Sequence, residues 1–191
     1  WLDKSESHIV YRETRAQEIT EMLWMYPKSC WHNSIDMLGG NKELTSQNTW
    51  IKALTSSFIK KWEKYRNLPG GLFGSKMNYN QEVLDWSRLQ QISFIVYIWN
   101  TFYKYIEASQ EGWIVSLREG VLLSENGVAI GKEPAFFSSN ALISTDQGIR
   151  ALLNVFNDLF YLAADKLFLH KWNILEIDNT DENTNNEKLL D

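Results

Sequence analysis

The sequence predicts a mainly α-helical fold, an irregular bundle of three to five helices that also allows a small β-hairpin near residues 120–130. Three observations support this. Apolar residues recur at helical spacing in several stretches, as in helices that bury one face. Strong helix breakers, such as Pro27 and residues 68–71, separate those stretches. The hydrophobic content of 44% and the charged content of 23% are those of a globular domain.

The N-terminal part predicts one helix and a long loop. Residues 5–26 place apolar side chains at helical spacing among charged ones, and Pro27 should end that helix. Residues 27–48 mix Pro, Ser, His and Asn with a pair of glycines. They predict a loop with one short helical turn around residues 35–38.

Two longer helices are predicted in the middle of the chain. The first begins near Thr45 or Ser46 and continues to about Tyr65, because its apolar residues keep helical spacing up to the breaker that follows. Residues 67–79 are then a glycine-containing loop. The second helix spans residues 80–109, and its second half is apolar on nearly all sides. Such a helix is either central to a core or covered by a partner.

The segment after this helix contains short apolar runs in place of a continuous helical pattern. Gly112 predicts a break, and short apolar runs on both sides of Asn126-Gly127 allow a small β-hairpin. The last helix lies within residues 141–172. Ser144 and Gln147 have the spacing of a capping box, in which each side chain bonds a backbone N–H of the first turn.

The last helix has one apolar and one polar side. The apolar side, which we expect to be buried, carries Ile149, Leu152, Leu153, Phe156, Leu159, Phe160 and Ala163. The polar side carries Arg150, Asn154, Asn157, Asp158, Tyr161 and Asp165. Such a row can bind a polar ligand, or it can be the solvated side of a surface helix. We favour the second interpretation, because surface helices usually have this pattern.

The most basic stretch of the chain contains Lys60, Lys61, Trp62, Lys64 and Arg66. Cations interleaved with aromatic rings can contact phosphates and stack on bases. The same residues also suit the C-terminal end of a helix, where positive charge is favourable. We favour this second interpretation, because the net charge of −5 argues against a domain whose main task is gripping duplex nucleic acid.

The chain shows no motif for catalysis or for binding a metal or cofactor. Residues 70–76, GGLFGSK, lack the glycine and lysine spacing of a phosphate-binding loop. His8, His32 and His170 are not at metal-ligand spacing. Cys30 with His32 lacks a visible third group to orient a nucleophile and its base. We therefore predict no catalytic residue, no metal and no cofactor.

Composition suggests where the protein acts and how the chain is organised. The single Cys30 excludes an internal disulfide and fits a reducing, cytoplasmic setting. No apolar run approaches the 18 residues of a membrane span. We expect one helical domain over residues 1–176 and a disordered, acidic, Asn-rich tail over residues 177–191. Because the chain begins at Trp1, we also expect it to be a fragment of a longer protein.

About half of the chain, roughly residues 80–172, resembles the C-terminal helical part of DGQHR-domain (DndB-like) proteins. The resemblance depends on a long helix with Trp99-Asn100, a variable loop and the segment LISTDQGIRALL. The residues that carry it in that segment are Leu142, Thr145, Gly148, Ile149, Leu152 and Leu153. The signature Asp-Gly-Gln-His-Arg is absent, so no functional residue can be transferred. The resemblance implies a bacterial protein associated with DNA modification and antiphage defence, of which this would be an accessory helical region.

These observations leave three hypotheses for the function. The first is a non-catalytic helical module that acts through protein–protein contact, with DNA contact as a secondary role. The second is part of an enzyme whose polar site lies on the helix face over residues 150–161. The third is a structural oligomerisation domain, which the apolar second half of helix 80–109 suggests. For the protein as a whole we expect a protein partner or self-association, DNA as a secondary partner, and no membrane.

Overall fold

The computed structural model describes residues 4–40, 45–60, 69–74, 84, 86–122, 132–138, 140–172 and 174. Within them the fold is mainly helical, which confirms the predicted class. The helices of this part are α1 (Lys4–Met25), α2 (Gln47–Ser56), α3 (Arg88–Ala108), α4 (Gly112–Leu122), α5 (Pro134–Phe137) and α6 (Asp146–Ala163). Two short strands, β1 (Ile35–Asp36) and β2 (Thr45–Ser46), pair in parallel. None of the described helices is long and apolar enough to cross a membrane.

Three buried tryptophans form the centre of the core. Trp31 follows α1, Trp50 lies on α2 and Trp99 lies on α3. Their ring centroids are 4.7 Å apart for Trp31 and Trp50, 5.2 Å for Trp31 and Trp99, and 5.5 Å for Trp50 and Trp99. All three pairs meet edge to face, which directs the positive edge of one ring at the negative face of another. This cluster therefore joins the first three helical segments.

A second aromatic cluster surrounds Phe94, which lies on α3 and is fully buried. Its ring centroid is 5.0 Å from that of Trp86 and 5.1 Å from that of Phe160 on α6. Phe58 and Phe73 are 6.5 Å and 6.1 Å away. Because α3 carries both Phe94 and Trp99, it is the central helix of the domain, one of the two roles that its apolar sequence allowed.

The N-terminal loop contains a strand where the sequence predicted a helical turn. Residues 35–38 are not helical: Ile35 pairs with Thr45, and Asp36 pairs with Ser46. The Asp36 carboxylate accepts backbone N–H groups from the next residues, at 3.2 Å from Leu38 and 2.8 Å from Gly39. Such a side-chain bond gives the backbone an alternative to helical hydrogen bonds, which explains the error.

Helix α2 ends at Ser56 and not near Tyr65, so the predicted end is wrong. The guanidinium of Arg12 on α1 donates to the carbonyl oxygen of Ile59 at 2.8 Å and to that of Thr55. The carbonyl oxygens at the C-terminal end of α2 thus accept from a side chain of another helix. The local sequence pattern does not show this tertiary contact. Residues 61–68, the rest of the predicted helix, lie outside the described residues.

The other boundary errors lie around α3 and α4. Helix α3 begins at Arg88 and not at residue 80, because Ser87 and Gln90 form a capping box just before it. The predicted break at Gly112 is instead the start of α4. Residues 120–122 belong to this helix, so the predicted hairpin is wrong there, and its remaining residues, 123–131, lie outside the described residues.

Arg118 explains why α4 packs where it does. Its guanidinium donates to the carbonyl oxygens of Ile106, Glu107 and Ser109 at 2.8 Å, 2.9 Å and 2.9 Å. These are carbonyls at the end of α3, where a helix has no intrahelical donors and carries partial negative charge. The same side chain is paired with Glu133, the N-cap of α5, at 2.7 Å. One arginine thus joins three helices.

Candidate functional site

The N-terminal end of α6 begins one residue later than the sequence predicted. Thr145 is the N-cap, and its hydroxyl accepts the N–H of Gly148 at 3.2 Å. Ser144 instead ends a short 3-10 turn, Leu142–Ser144, so the predicted capping box with Gln147 is wrong. The helix also ends at Ala163, and the chain then turns before a second 3-10 turn at Leu169–Lys171.

Helix α6 lies beside α2 and points in the same direction. At the first turns, the Thr49 hydroxyl donates to the Asp146 carboxylate at 2.7 Å. Further along, Lys60, just beyond α2, pairs with Asp158 at 3.2 Å between the ammonium nitrogen and a carboxylate oxygen. The second contact brings the start of the predicted basic stretch to the predicted polar row. Lys60 and Asp158 are separated by 98 residues in sequence.

Asn157 is the residue of that row whose position the sequence predicted wrongly. It was expected on the solvated side, but it is fully buried. Its amide oxygen accepts the N–H of Leu72 at 2.9 Å, and its amide nitrogen donates to the carbonyl oxygen of Gly70 at 2.9 Å. The same nitrogen also lies 2.9 Å from the carboxylate of Asp158. Asn157 therefore fixes the glycine-containing loop to α6.

The remaining predicted residues of the polar row stay at the surface. Arg150 is exposed and Asn154 is half-buried, whereas Tyr161 is half-buried because it packs against the core. Asn154 donates to the carbonyl oxygen of Arg150 at 2.8 Å within the helix. In this row, Asn157 and Tyr161 therefore contribute to the packing of the fold, while Arg150 and Asn154 keep contact with solvent.

Of the predicted basic stretch, Lys60 is described and lies outside regular helix. Lys61, Trp62, Lys64 and Arg66 lie outside the described residues. The ammonium group of Lys60 is already paired with the Asp158 carboxylate. It therefore attracts a phosphate less strongly than the sequence alone suggested.

An exposed apolar row on α6 is a feature that the sequence reading missed. Val155, Leu159 and Leu162 are 60%, 59% and 71% exposed, and Ala151 on the same side is also exposed. Leu159 was expected in the core with Leu153 and Phe156. The spacing of four, four and three residues from Ala151 defines a second helical face, opposite the buried one. We call these four residues the α6 apolar row.

Cys30 and the residues around it do not provide an activated nucleophile. Burial raises the pKa of the Cys30 thiol, and the nearby charge of Lys132 opposes this only in part. Burial also lowers the pKa of Lys132, whose ammonium group donates to the carbonyl oxygen of His32 at 2.9 Å and to the Ser34 hydroxyl. Since the thiolate is the reactive form, a thiol held protonated is inert.

His32 is also engaged within the fold. Its Nδ1 lies 3.0 Å from the carbonyl oxygen of Trp24, and its Nε2 lies 3.0 Å from the Asn33 amide nitrogen. The ring thus has local partners at both nitrogens. Over the described ranges, no group of three or more His, Cys, Asp or Glu side chains is arranged to hold a metal ion.

The chain matches no protein-family model, no curated protein and no solved structure. The functional argument therefore depends on the residues and their geometry. The feature with the clearest consequence is the α6 apolar row, because large aliphatic side chains on one helix face carry a solvation cost that a partner would remove.

Proposed function

We propose that this domain is a non-catalytic helical interaction module, and that the α6 apolar row is the surface through which it contacts a protein partner. The observation that carries the proposal is the exposure of Val155, Leu159 and Leu162 side by side on one helix. Burial of one such side chain contributes about 1.5–3 kcal/mol, so three together are a substantial driving force for association.

The surroundings of the row also suit a protein interface. At about 100° per residue, Asp158 and Asn154 lie on α6 beside it, and both are partly exposed. Protein interfaces commonly combine an apolar centre with a polar rim. The enzyme hypothesis is weaker, because Asn157 and Asp158 bond the loop and Lys60 and are not free to bind a substrate.

The resemblance of residues 80–172 to DGQHR-domain (DndB-like) proteins supplies the biological setting of the proposal. The setting we propose is a bacterial cytoplasmic protein associated with DNA modification or antiphage defence. The cytoplasmic part of the proposal has its support in the cysteine usage, since a single Cys30 fits a reducing setting.

DNA contact through the basic stretch is a second candidate function, and it depends on the sequence of residues 60–66. The described arginines near the start of this stretch already have partners within the fold. Arg15 is buried, Arg88 is paired with Glu18 at 2.8 Å, and Arg12 donates to the carbonyl oxygen of Ile59.

A gel-shift titration at several salt concentrations tests the DNA role. Changing Lys60, Lys61, Lys64 and Arg66 to Ala together should weaken binding to a mixed-sequence duplex and flatten its salt dependence. An unchanged titration would rule out DNA contact through this stretch.

Photo-crosslinking tests the proposed protein contact. A photo-reactive amino acid replaces Leu159 in the protein expressed in its bacterial host, and the control carries it at Glu119, which is exposed on α4. We expect covalent protein adducts from position 159 and not from position 119. Absence of any adduct from position 159 would overturn the proposal. The mass of an adduct distinguishes a second copy of the chain from another protein.

A further inference from the structure

We infer that the C-terminal segment of this chain, residues 175–191, folds back onto the α6 apolar row and competes there with the protein partner. This inference rests on the proposed function, because it names what regulates the same surface. The segment follows Ile174 and lies outside the described residues. Its support is the charge of the segment, the cations at the end of the row and the tether between the two.

The C-terminal segment carries the entire net charge of the protein. It contains six of the 24 acidic residues and one of the 19 basic residues. The other 18 acidic and 18 basic residues balance, so residues 1–174 are formally neutral and the net charge of −5 belongs to the segment. A segment of this composition is attracted to any exposed cluster of cations on its own domain.

A cation extends the α6 apolar row at its C-terminal end. The N–H of Leu167 donates to the carbonyl oxygen of Ala163 at 2.8 Å, so the helical turn continues past the end of α6. Lys166 therefore follows Leu162 at the i+4 position and lies on the same side of the helix. It is exposed, and Asp165 lies about 100° around the helix from it. The apolar row thus ends on a positive charge.

Lys171 adds a second cation at the same end of the helix. The 3-10 turn Leu169–Lys171 folds against the end of α6, because the N–H of Leu169 donates to the carbonyl oxygen of Ala164 at 3.0 Å. The ammonium nitrogen of Lys171 lies 4.9 Å from the ring centroid of Phe168, and both side chains are exposed. The acidic segment begins just after these cations, so it meets them first.

The segment also brings its own apolar side chains and is held close to the row. It carries the pair Leu189-Leu190, whose burial against the row would remove apolar surface from water. The 15 residues from Ile174 to Leu189 span up to about 50 Å when extended. The row from Val155 to Leu162 covers only about 10 Å along α6.

The tether explains why so small a surface is sufficient. One helix face buries less than the roughly 800 Å² per partner of a typical stable interface between separate molecules. A short flexible linker instead holds the segment at an effective concentration in the mM range, where a weak contact forms. A partner of higher affinity displaces such a contact, so the segment sets a threshold for partner binding.

Photo-crosslinking in the purified full chain tests the contact. The photo-reactive amino acid replaces Leu159, and the control carries it at Glu119, which is exposed on α4. We expect adducts within one chain that join position 159 to a peptide from residues 175–191, and no such adducts from position 119. The yield should fall at least about threefold between about 0.02 M and 0.5 M salt, because exposed charges are screened. No adduct to the segment, or a yield independent of salt, would overturn the inference.

Charge reversal tests the position of the contact. Lys166→Glu combined with Lys171→Glu should lower the yield of these adducts at least about threefold. The matched control is Lys52→Glu combined with Lys104→Glu, which changes the net charge equally at exposed positions on α2 and α3 and should leave the yield unchanged. Both double variants should keep the melting temperature, since all four side chains are at the surface. An equal loss in both variants would contradict a contact at the end of the row.

Crosslinking in the bacterial host separates this inference from the proposed function. Leu189→Asp combined with Leu190→Asp should raise the yield of partner adducts from position 159 at least about twofold, because it weakens a tethered competitor. Partner adducts that do not increase would overturn the competition and keep the proposed function. Adducts to the segment without any partner adduct would keep the intramolecular contact and end the proposed function.

Discussion

Asn157 offers the sharpest test of how α6 holds the fold. Its amide is fully buried and bonds both the N–H of Leu72 and the carbonyl oxygen of Gly70. Asn157→Ala would leave both backbone groups buried without these partners. An unsatisfied buried group costs about 1–3 kcal/mol, so the free energy of unfolding should fall by about 2–6 kcal/mol. That loss is a large fraction of the stability of an ordinary domain.

Urea denaturation, with the midpoint and slope measured together, is the suitable assay. The matched control is Asn154→Ala on the same helix, whose amide bonds the carbonyl oxygen of Arg150 within α6. That change should alter stability by less than about 0.5 kcal/mol, because the group is accessible to water. If Asn157→Ala unfolds within about 0.5 kcal/mol of the original protein, the loop does not depend on this side chain and the argument fails.

A second substitution separates the hydrogen bonds from packing. Asn157→Asp keeps the shape but replaces the donor to Gly70 with a carboxylate oxygen. When protonated, the new acid can again donate to Gly70 and accept from Leu72, and burial raises its pKa. A raised pKa in the folded state means that stability is present at low pH and lost as pH rises through it. Relative to the original protein, the variant should therefore be closest in stability near pH 4 and weakest near pH 7.

Three further predictions concern single residues. Gly148→Ala should lower the melting temperature, because a Cβ would overlap the carbonyl oxygen of Leu142. In Gly120→Ala on α4 the added Cβ meets open space, so this change should stabilise the protein by about 0.5–1 kcal/mol. Cys30 should react with a disulfide reagent at pH 8 at least about tenfold more slowly in the folded than in the urea-unfolded protein, because burial raises its pKa; equal rates would refute this. Arg118→Lys should cost about 2 kcal/mol in a denaturant titration, because an ammonium group cannot reach all the carbonyl oxygens that the guanidinium bonds.

Much of the helical fold is predictable because its signals are local. Pro27 follows the end of α1, and the periodicity of α3 and α6 identified both helices. The capping box at Ser87 could also have been predicted, since Gln90 follows three residues later. The apolar pattern that begins before Ser87 instead led to a predicted start near residue 80. Helix α4 was not predicted, because its short apolar runs resemble a strand. Its position depends on Arg118 bonding the end of α3, which is a tertiary contact.

The candidate site was predictable only in part, for a similar reason. The α6 apolar row follows a helical spacing and could have been found from Val155 and Leu162, which do not belong to the buried pattern. The role of Asn157 could not, because its partners Gly70 and Leu72 are 87 and 85 residues away in sequence. An asparagine on a helix looks the same in sequence whether it faces water or a buried loop.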